Sequence, residues 1–564
     1  MRIRARLAMV CSVVLATIGC EGNIESDRTG PGALDPETGL PVDPETGRPV
    51  DPETGEPLPP FSAAPGAMRR LSATQFQNAV RDLFENVRVT TALEPDAAVN
   101  GFIEIGVARG TISPAAAEKF EKAAYEIAGQ VVAADRRAKF VGCTPAASVD
   151  TTCTRAYVER VGRRAFRRPL SSDEVGRYVG LAETAARRLN DFYAGIEFVT
   201  AGLLQSPNFA FRVEVGEPDP GNAGRLRYTS IEMATRLSFL IWNSIPDDAL
   251  LRAGEAGELV AEQGLTTQIE RLVSDARART AMNNFHFERF NLEALDTLNK
   301  DRARFAAMTD TLGAAMREDV LRTADYIVFE QGGDYRDLFD TPVTFSNAEL
   351  AGLYGVAKPA SGTALTLLPA GGPRLGLLGK AGFLAMNAHS RETSPTLRGK
   401  FVRERLLCES IPAPPPEVVT IVPEPNPNAP TMRERLAVHR QEASCARCHG
   451  AMDPIGLSFE NFDAIGSFRE NDNGHALDLT GEIDGTTFDG PRELAALLRN
   501  RASANECAVR QLYRYAVGHV ESAGEEVVIK SLSQRFSAGG YRLKNLIREV
   551  VVSDGFRFMK KESP

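Results

Sequence analysis

A chain of 564 residues is too long for one hydrophobic core, because single cores stop growing at roughly 250 to 300 residues, so two or more globular units are expected. Its 43% hydrophobic and 25% charged content matches an ordinary soluble protein rather than a disordered or membrane-embedded one. The formal net charge of -9 argues against a nucleic-acid partner, since neutralising phosphates needs a basic surface.

The N-terminus reads as an export signal over residues 1–20. Arg2, Arg4 and Arg6 give a basic start, Leu7 to Ile18 an apolar stretch, and Gly19-Cys20 a small-residue cleavage point. Thr17-Ile18-Gly19-Cys20 resembles the lipobox of bacterial lipoproteins, with threonine where leucine is usual. Cys20 is thus the candidate lipidation site. Plain secretion and a retained anchor are the alternatives. No later segment has the roughly 18 uninterrupted apolar residues of a membrane helix, so any membrane attachment is expected through the N-terminal lipid alone. That places the protein in the cell envelope after export, on an outer membrane or cell surface.

Residues 21–66 are rich in Pro, Glu, Thr and Gly. Asp35-Pro36-Glu37-Thr38-Gly39 recurs as Asp43 to Gly47 and Asp51 to Gly55. Proline at this density extends the chain and the carboxylates keep it solvated, so a disordered tether is predicted. Calcium binding is the lesser alternative, because no loop of EF-hand spacing is present.

Helical patterning starts at residue 67. Ser72 with Gln75, Ser171 with Glu174 and Thr229 with Glu232 each have the spacing of a capping box. Staple pairs flank them: Leu71 with Phe76, Leu170 with Val175, Tyr228 with Met233. Stripes such as Phe76, Ala79, Val80 and Leu83, or Val175, Tyr178, Val179 and Ala182, continue the helical period and read as core. A third helix through Leu237, Leu240, Ile241 and Trp242 should stop at Pro246. Arg163, Arg164, Arg167 and Arg168 read as a solvated or carboxylate-paired helix end, with an anionic docking patch as the alternative. Proline and glycine mark breaks at 214–227 and, more clearly, at 411–430. The predicted order is an N-terminal helical region 67–213, a central helical domain 228–410, a proline-rich linker 411–430 and a C-terminal module 431–564.

That module contains Cys445-Ala446-Arg447-Cys448-His449, the C-x-x-C-H pattern of covalent haem attachment. Two thiols one helical turn apart can reach both vinyl groups of one haem, and the adjacent imidazole can take the iron from one face. A structural zinc site is a rival that needs a second Cys/His pair, and a Cys445–Cys448 disulfide is another. His449 is the proximal ligand candidate. For the opposite face His389 is the first candidate. Met452 should stay on the same side as His449, and its run Met452-Asp453-Pro454-Ile455-Gly456 reads as packing and turning. His475 sits in a polar turn, and His286 and His439 have no supporting pattern. Eight cysteines are present. Once Cys11, Cys20 and the haem pair are set aside, Cys143 can close a local loop with Cys153 and Cys408 can tie to Cys507. Free buried thiols are the alternative.

The segments Arg69 to Phe84 (RRLSATQFQNAVRDLF), Arg163 to Val175 (RRAFRRPLSSDEV), Ala234 to Asp248 (ATRLSFLIWNSIPDD), Thr393 to Cys408 (TSPTLRGKFVRERLLC), Cys445 to Gly466 (CARCHGAMDPIGLSFENFDAIG) and Gly539 to Phe556 (GGYRLKNLIREVVVSDGF) resemble, in order, the planctomycete-type, cytochrome-c-associated family of exported proteins. That family is built from serial domains of unknown function, the series fifteen-eighty-five to fifteen-ninety-five. The resemblance implies a mainly α, multi-domain helical body with a small C-terminal cytochrome-c-like helical module and one covalent haem c. It also puts arginine where His519 stands, which counts against His519 as a ligand.

No G-x-S-x-G elbow, H-E-x-x-H helix or phosphate-cradling loop is present, and Glu460 with Asp463 reads as solvated or capping rather than as an acid/base pair. The leading expectation is electron transfer to a redox partner protein. A haem-dependent oxidative enzyme and a non-enzymatic surface scaffold are the alternatives, separated by the sixth iron ligand.

Overall fold

The computed structural model describes residues 33–110, 112–412, 424–441 and 443–561. The signal segment with Cys20, the stretch 413–423 of the proline-rich run and the side chain of His439 lie outside the described residues. The described residues divide into two compact units, the first ending at Leu58 and the second starting at Pro59. Among the described residues no helix is long and apolar enough to cross a membrane.

In the first unit the repeats carry more local order than their composition suggests. Asp35 Oδ1 accepts from the backbone of Glu37 and Thr38 and from the Thr38 hydroxyl, at 3.1, 2.7 and 2.7 Å. Asp43 repeats the pattern with Glu45 and Thr46. Gly39, Gly47 and Gly55 then turn the chain with φ of 73°, 67° and 73°. Antiparallel bridges Leu34↔Pro41, Val42↔Pro49 and Val50↔Pro57 link one turn to the next. Aspartate that binds its own backbone and glycine that tolerates the left-handed region make each repeat a turn, which average composition does not register.

The second unit is mainly helical. All three capping boxes are formed, at Ser72, Ser171 and Thr229. The helix Ala73–Leu83 buries Phe76 edge-on against Phe120 and Phe209, at centroid distances of 5.3 and 5.6 Å. Helices Pro114–Val131, Thr151–Phe166, Ser172–Leu189 and Phe192–Gln205 close this core around Ile127, Tyr157, Ile196 and Leu204. The helix Ser230–Trp242 ends earlier than Pro246, because Asn243 takes the left-handed cap at φ 52°. Of the arginine run, Arg163 pairs with Asp248 and Glu255, and Arg168 with Glu174. Arg167 is buried and donates to the carbonyls of Ala165, Asn208, Phe209 and Phe211, and burial pushes its pKa down to about 9.

Segments of the chain pair or pack across both breaks. At 214–227, strand Arg225–Arg227 pairs with Glu217–Pro218 and with Phe558–Lys560 near the C-terminus. Glu214 itself is buried between Arg69 and Arg236, at 2.7 and 2.8 Å. Burial pushes its carboxyl up, but the guanidiniums of Arg236 and Arg69 hold it below the ordinary value. At the proline-rich run, Cys408 is bonded to Cys507 with Cα atoms 5.3 Å apart, and helix Pro395–Phe401 packs on Ala443–Leu457. The chain on both sides of 411–430 therefore packs together. Cys143–Cys153 forms the second disulfide, with Cα atoms 5.8 Å apart.

A buried polar network makes a pH-dependent prediction. Glu288, 8% exposed, accepts from the Ile103 backbone at 2.8 Å and from the Asn284 amide at 2.6 Å. Burial, with Glu104 nearby, raises its pKa from 4.5 to about 8. A raised carboxylate pKa stabilises fully below the unfolded value and loses that contribution as pH climbs through the folded one. Wild-type stability is expected to fall by up to about 1.4 kcal/mol per pH unit between those values, and Glu288→Gln to remove that slope. Denaturant titrations of both proteins from pH 5 to pH 9 measure it. Parallel profiles would mean that Glu288 is ionised in the folded state.

Candidate functional site

Cys445, Cys448 and His449 lie on one helix, Ala443–Leu457, which runs through Pro454. Both cysteines are half-buried and stand outside the two disulfides. At 3.6 residues per turn the two thiols and the imidazole share one face, whereas Pro454 points away from it. A cavity of about 490 Å³ on that far side is lined by Arg433, Arg440, Pro454 and the hairpin around Gly481 and Phe488.

Helix Pro395–Phe401 crosses the motif helix at backbone contact. A Cβ on Gly399 would strike the Met452 carbonyl, and one on Gly456 would strike that of Pro395. This approach lets the Thr396 hydroxyl donate to Asp453 Oδ1 at 2.8 Å. Asp453, with no exposed side-chain surface, holds His449 Nδ1 through its other oxygen at 2.9 Å. A carboxylate accepts only from an Nδ1–H, so in the neutral imidazole the ring lone pair is on Nε2. The sequence reading gave Asp453 a turning role. Its spacing of four from His449, which puts both on one helical face, is the signal that finds it.

The loop after the helix is fixed by Arg398, whose fully buried guanidinium donates to the carbonyls of Phe459, Phe462 and Asp463 at 2.9, 3.1 and 2.8 Å. Burial pushes its pKa down to about 10. Glu460 is not solvated. It is buried, takes the Thr393 hydroxyl at 2.9 Å and pairs with Arg469 at 2.7 Å, while burial raises its pKa. Asp463 caps a turn by accepting from Ile465 and Ser467. Both carboxylates are structural.

The other histidines are scattered. His389 is exposed, and its backbone carbonyl, like that of Ala388, accepts from Lys300, at 2.8 and 2.7 Å. Burial lowers the Lys300 pKa to about 8. His475 is exposed at the Asn471–Ala476 hairpin. His519 pairs with Glu525 at 2.9 Å. His286 is buried against the Tyr335 hydroxyl at 2.9 Å, and burial pushes its pKa down to about 3. Among the described residues no group of three or more His, Cys, Asp or Glu side chains is gathered as a metal cage.

Family models match the chain in series, each described as a protein of unknown function. They cover residues 69–133 (DUF1587), 153–214 (DUF1595), 228–356 (DUF1592), 374–472 (DUF1588) and 484–556 (DUF1585). The match over 374–472 runs through both the proline-rich run and the motif helix. No curated protein and no solved structure matches the chain. With its domains in this order, the chain belongs to the planctomycete-type, cytochrome-c-associated family built from serial domains of unknown function.

Proposed function

We propose that this protein is an exported lipoprotein of the cell envelope that carries one covalent haem c and transfers electrons to a redox partner protein. The observation that carries the reading is the donor set on one helix: two thiols outside the disulfides, one turn apart, beside an imidazole whose Nδ1 is held by a buried carboxylate. This set fits a haem. The porphyrin brings four nitrogens to its iron, so the protein needs to supply no cage of side chains, only thioether anchors and an axial nitrogen. Cys445 and Cys448 would hold the haem through thioethers and His449 through its imidazole, on a helix that packs against Pro395–Phe401 rather than in a separate module. Bound there, the haem supplies a one-electron iron couple.

The test is denaturing electrophoresis of the protein matured in a haem-attaching host. Haem staining that stays with the polypeptide is expected, because thioether bonds survive where coordination does not. Protein that carries no haem sinks the reading. Carbon monoxide then separates roles: a six-coordinate carrier leaves the reduced spectrum unchanged, whereas an oxidative enzyme with an open position shifts it. His389 is the remaining distal candidate.

Export and lipidation rest on Cys20. Cys20→Ala is expected to move the protein from the membrane fraction to the soluble fraction, since one lipidated N-terminus is the sole anchor the reading supplies. Unchanged membrane retention in a fractionation blot would replace the lipid anchor with a surface partner or an uncleaved signal.

A further inference from the structure

We propose that Asp453 is a positioning residue for the haem iron: held by Thr396, it anchors His449 Nδ1 so that Nε2 faces the metal as an electron-rich ligand. The inference rests on the haem reading above and adds to it what tunes the iron.

The geometry has three linked parts. Asp453 stands four residues after His449, one helical turn on, and receives the Nδ1–H at 2.9 Å. Its side chain has no exposed surface, whereas that of His449 keeps 22%. The carboxylate therefore interacts with the imidazole through protein rather than through water, where electrostatic effects are larger. Its second oxygen is held at 2.8 Å by the hydroxyl of Thr396 on a different helix. That helix cannot drift, because Gly399 and Gly456 bring the two backbones into contact. A carboxylate free to rotate would average its pull on the ring. This one is fixed from both sides.

A ligating histidine that donates its other N–H to a carboxylate becomes a more basic ligand, with its ring orientation and tautomer set. A stronger donor stabilises the higher oxidation state, so the Asp453 carboxylate favours ferric over ferrous iron. Thr396 works against it in part: its hydroxyl hydrogen bond draws charge from the carboxylate and moderates the pull on His449. Removing each partner should therefore move the potential in opposite directions, which loosening of the helix by itself would not produce.

The test compares wild type, Asp453→Asn and Thr396→Val, all matured in a haem-attaching host. Each is read by haem staining after denaturation and by midpoint potential. Asp453→Asn is expected to keep its covalent haem but to shift the ferrous-to-ferric ratio at a given potential at least tenfold toward ferrous, a rise of about 59 mV for one electron. Thr396→Val should shift the ratio the other way. Potentials that match wild type in haem-loaded variants overturn the proposal and leave Asp453 a packing residue, as do shifts of the same sign in both. Should Asp453→Asn fail to fold, Thr396→Val decides alone, a fall in potential supporting the proposal and no fall overturning it. Absence of haem from wild type itself is a failure of the haem reading, seen in the staining before any potential is measured.

Discussion

A double variant with Cys445→Ser and Cys448→Ser is expected to lose all haem that survives denaturation. Each thioether is a carbon–sulfur bond, and serine oxygen does not replace it. Either single variant keeps one bond, so reduced staining is expected from each and none from the pair. The fold should persist, for two reasons. Both side chains are only half-buried, so exchanging sulfur for hydroxyl desolvates little. The covalent ties nearby are elsewhere: Cys408–Cys507 closes a loop with a sequence separation of 99, worth roughly 4 to 5 kcal/mol on chain-entropy grounds although measured gains are often smaller. Haem staining and thermal melting together read the result. Staining that persists in the double variant would place the attachment elsewhere on the chain. Loss of staining together with loss of the cooperative melt would make the thiols structural instead.

What could be read from the sequence divides by distance along the chain. The capping boxes at Ser72, Ser171 and Thr229 were legible because cap and partner are three residues apart and the chemistry is local. The two disulfides were legible from cysteine parity and spacing once Cys11, Cys20 and the C-x-x-C-H pair were set aside. In the Asp-Pro-Glu-Thr-Gly repeats a composition argument averages away the aspartate that caps its own turn. The breaks at 214–227 and 411–430 meet a different limit. Proline and glycine mark where regular structure stops, but not whether the flanks pack together again, and here strand Phe558–Lys560 and Cys507 return from far along the chain.

The site follows the same division. Cys445, Cys448 and His449 are a local pattern, and Asp453 was within reach at one helical turn. It was overlooked because Asp-Pro suggests a turn, and proline in a helix costs a hydrogen bond. Here the helix continues to Leu457. Thr396 was out of reach altogether, since its hydrogen bond to Asp453 spans 57 positions. Nothing but the folded crossing of two helices brings them together.

That crossing carries the other large expected effect. Gly399→Ala and Gly456→Ala are each expected to destabilise the protein by about 3 kcal/mol or more, the upper range for overpacking. In an ordinary core an added methyl pushes aside the end of a neighbouring side chain. At these positions it meets the carbonyls of Met452 and Pro395, which move only if the helices part. Parting has a second consequence, because Thr396 then withdraws from Asp453 and the anchor of His449 loosens. Gly180 supplies the contrast, being an exposed position inside helix Ser172–Leu189 where an added Cβ meets nothing within 4 Å. Gly180→Ala should stabilise by about 0.5 to 1 kcal/mol through helix propensity. Denaturant midpoints of the three variants decide the matter. If Gly399→Ala and Gly456→Ala melt like Gly180→Ala, the helices do not cross at backbone contact, and the chain of positions from Thr396 through Asp453 to His449 has no rigid base.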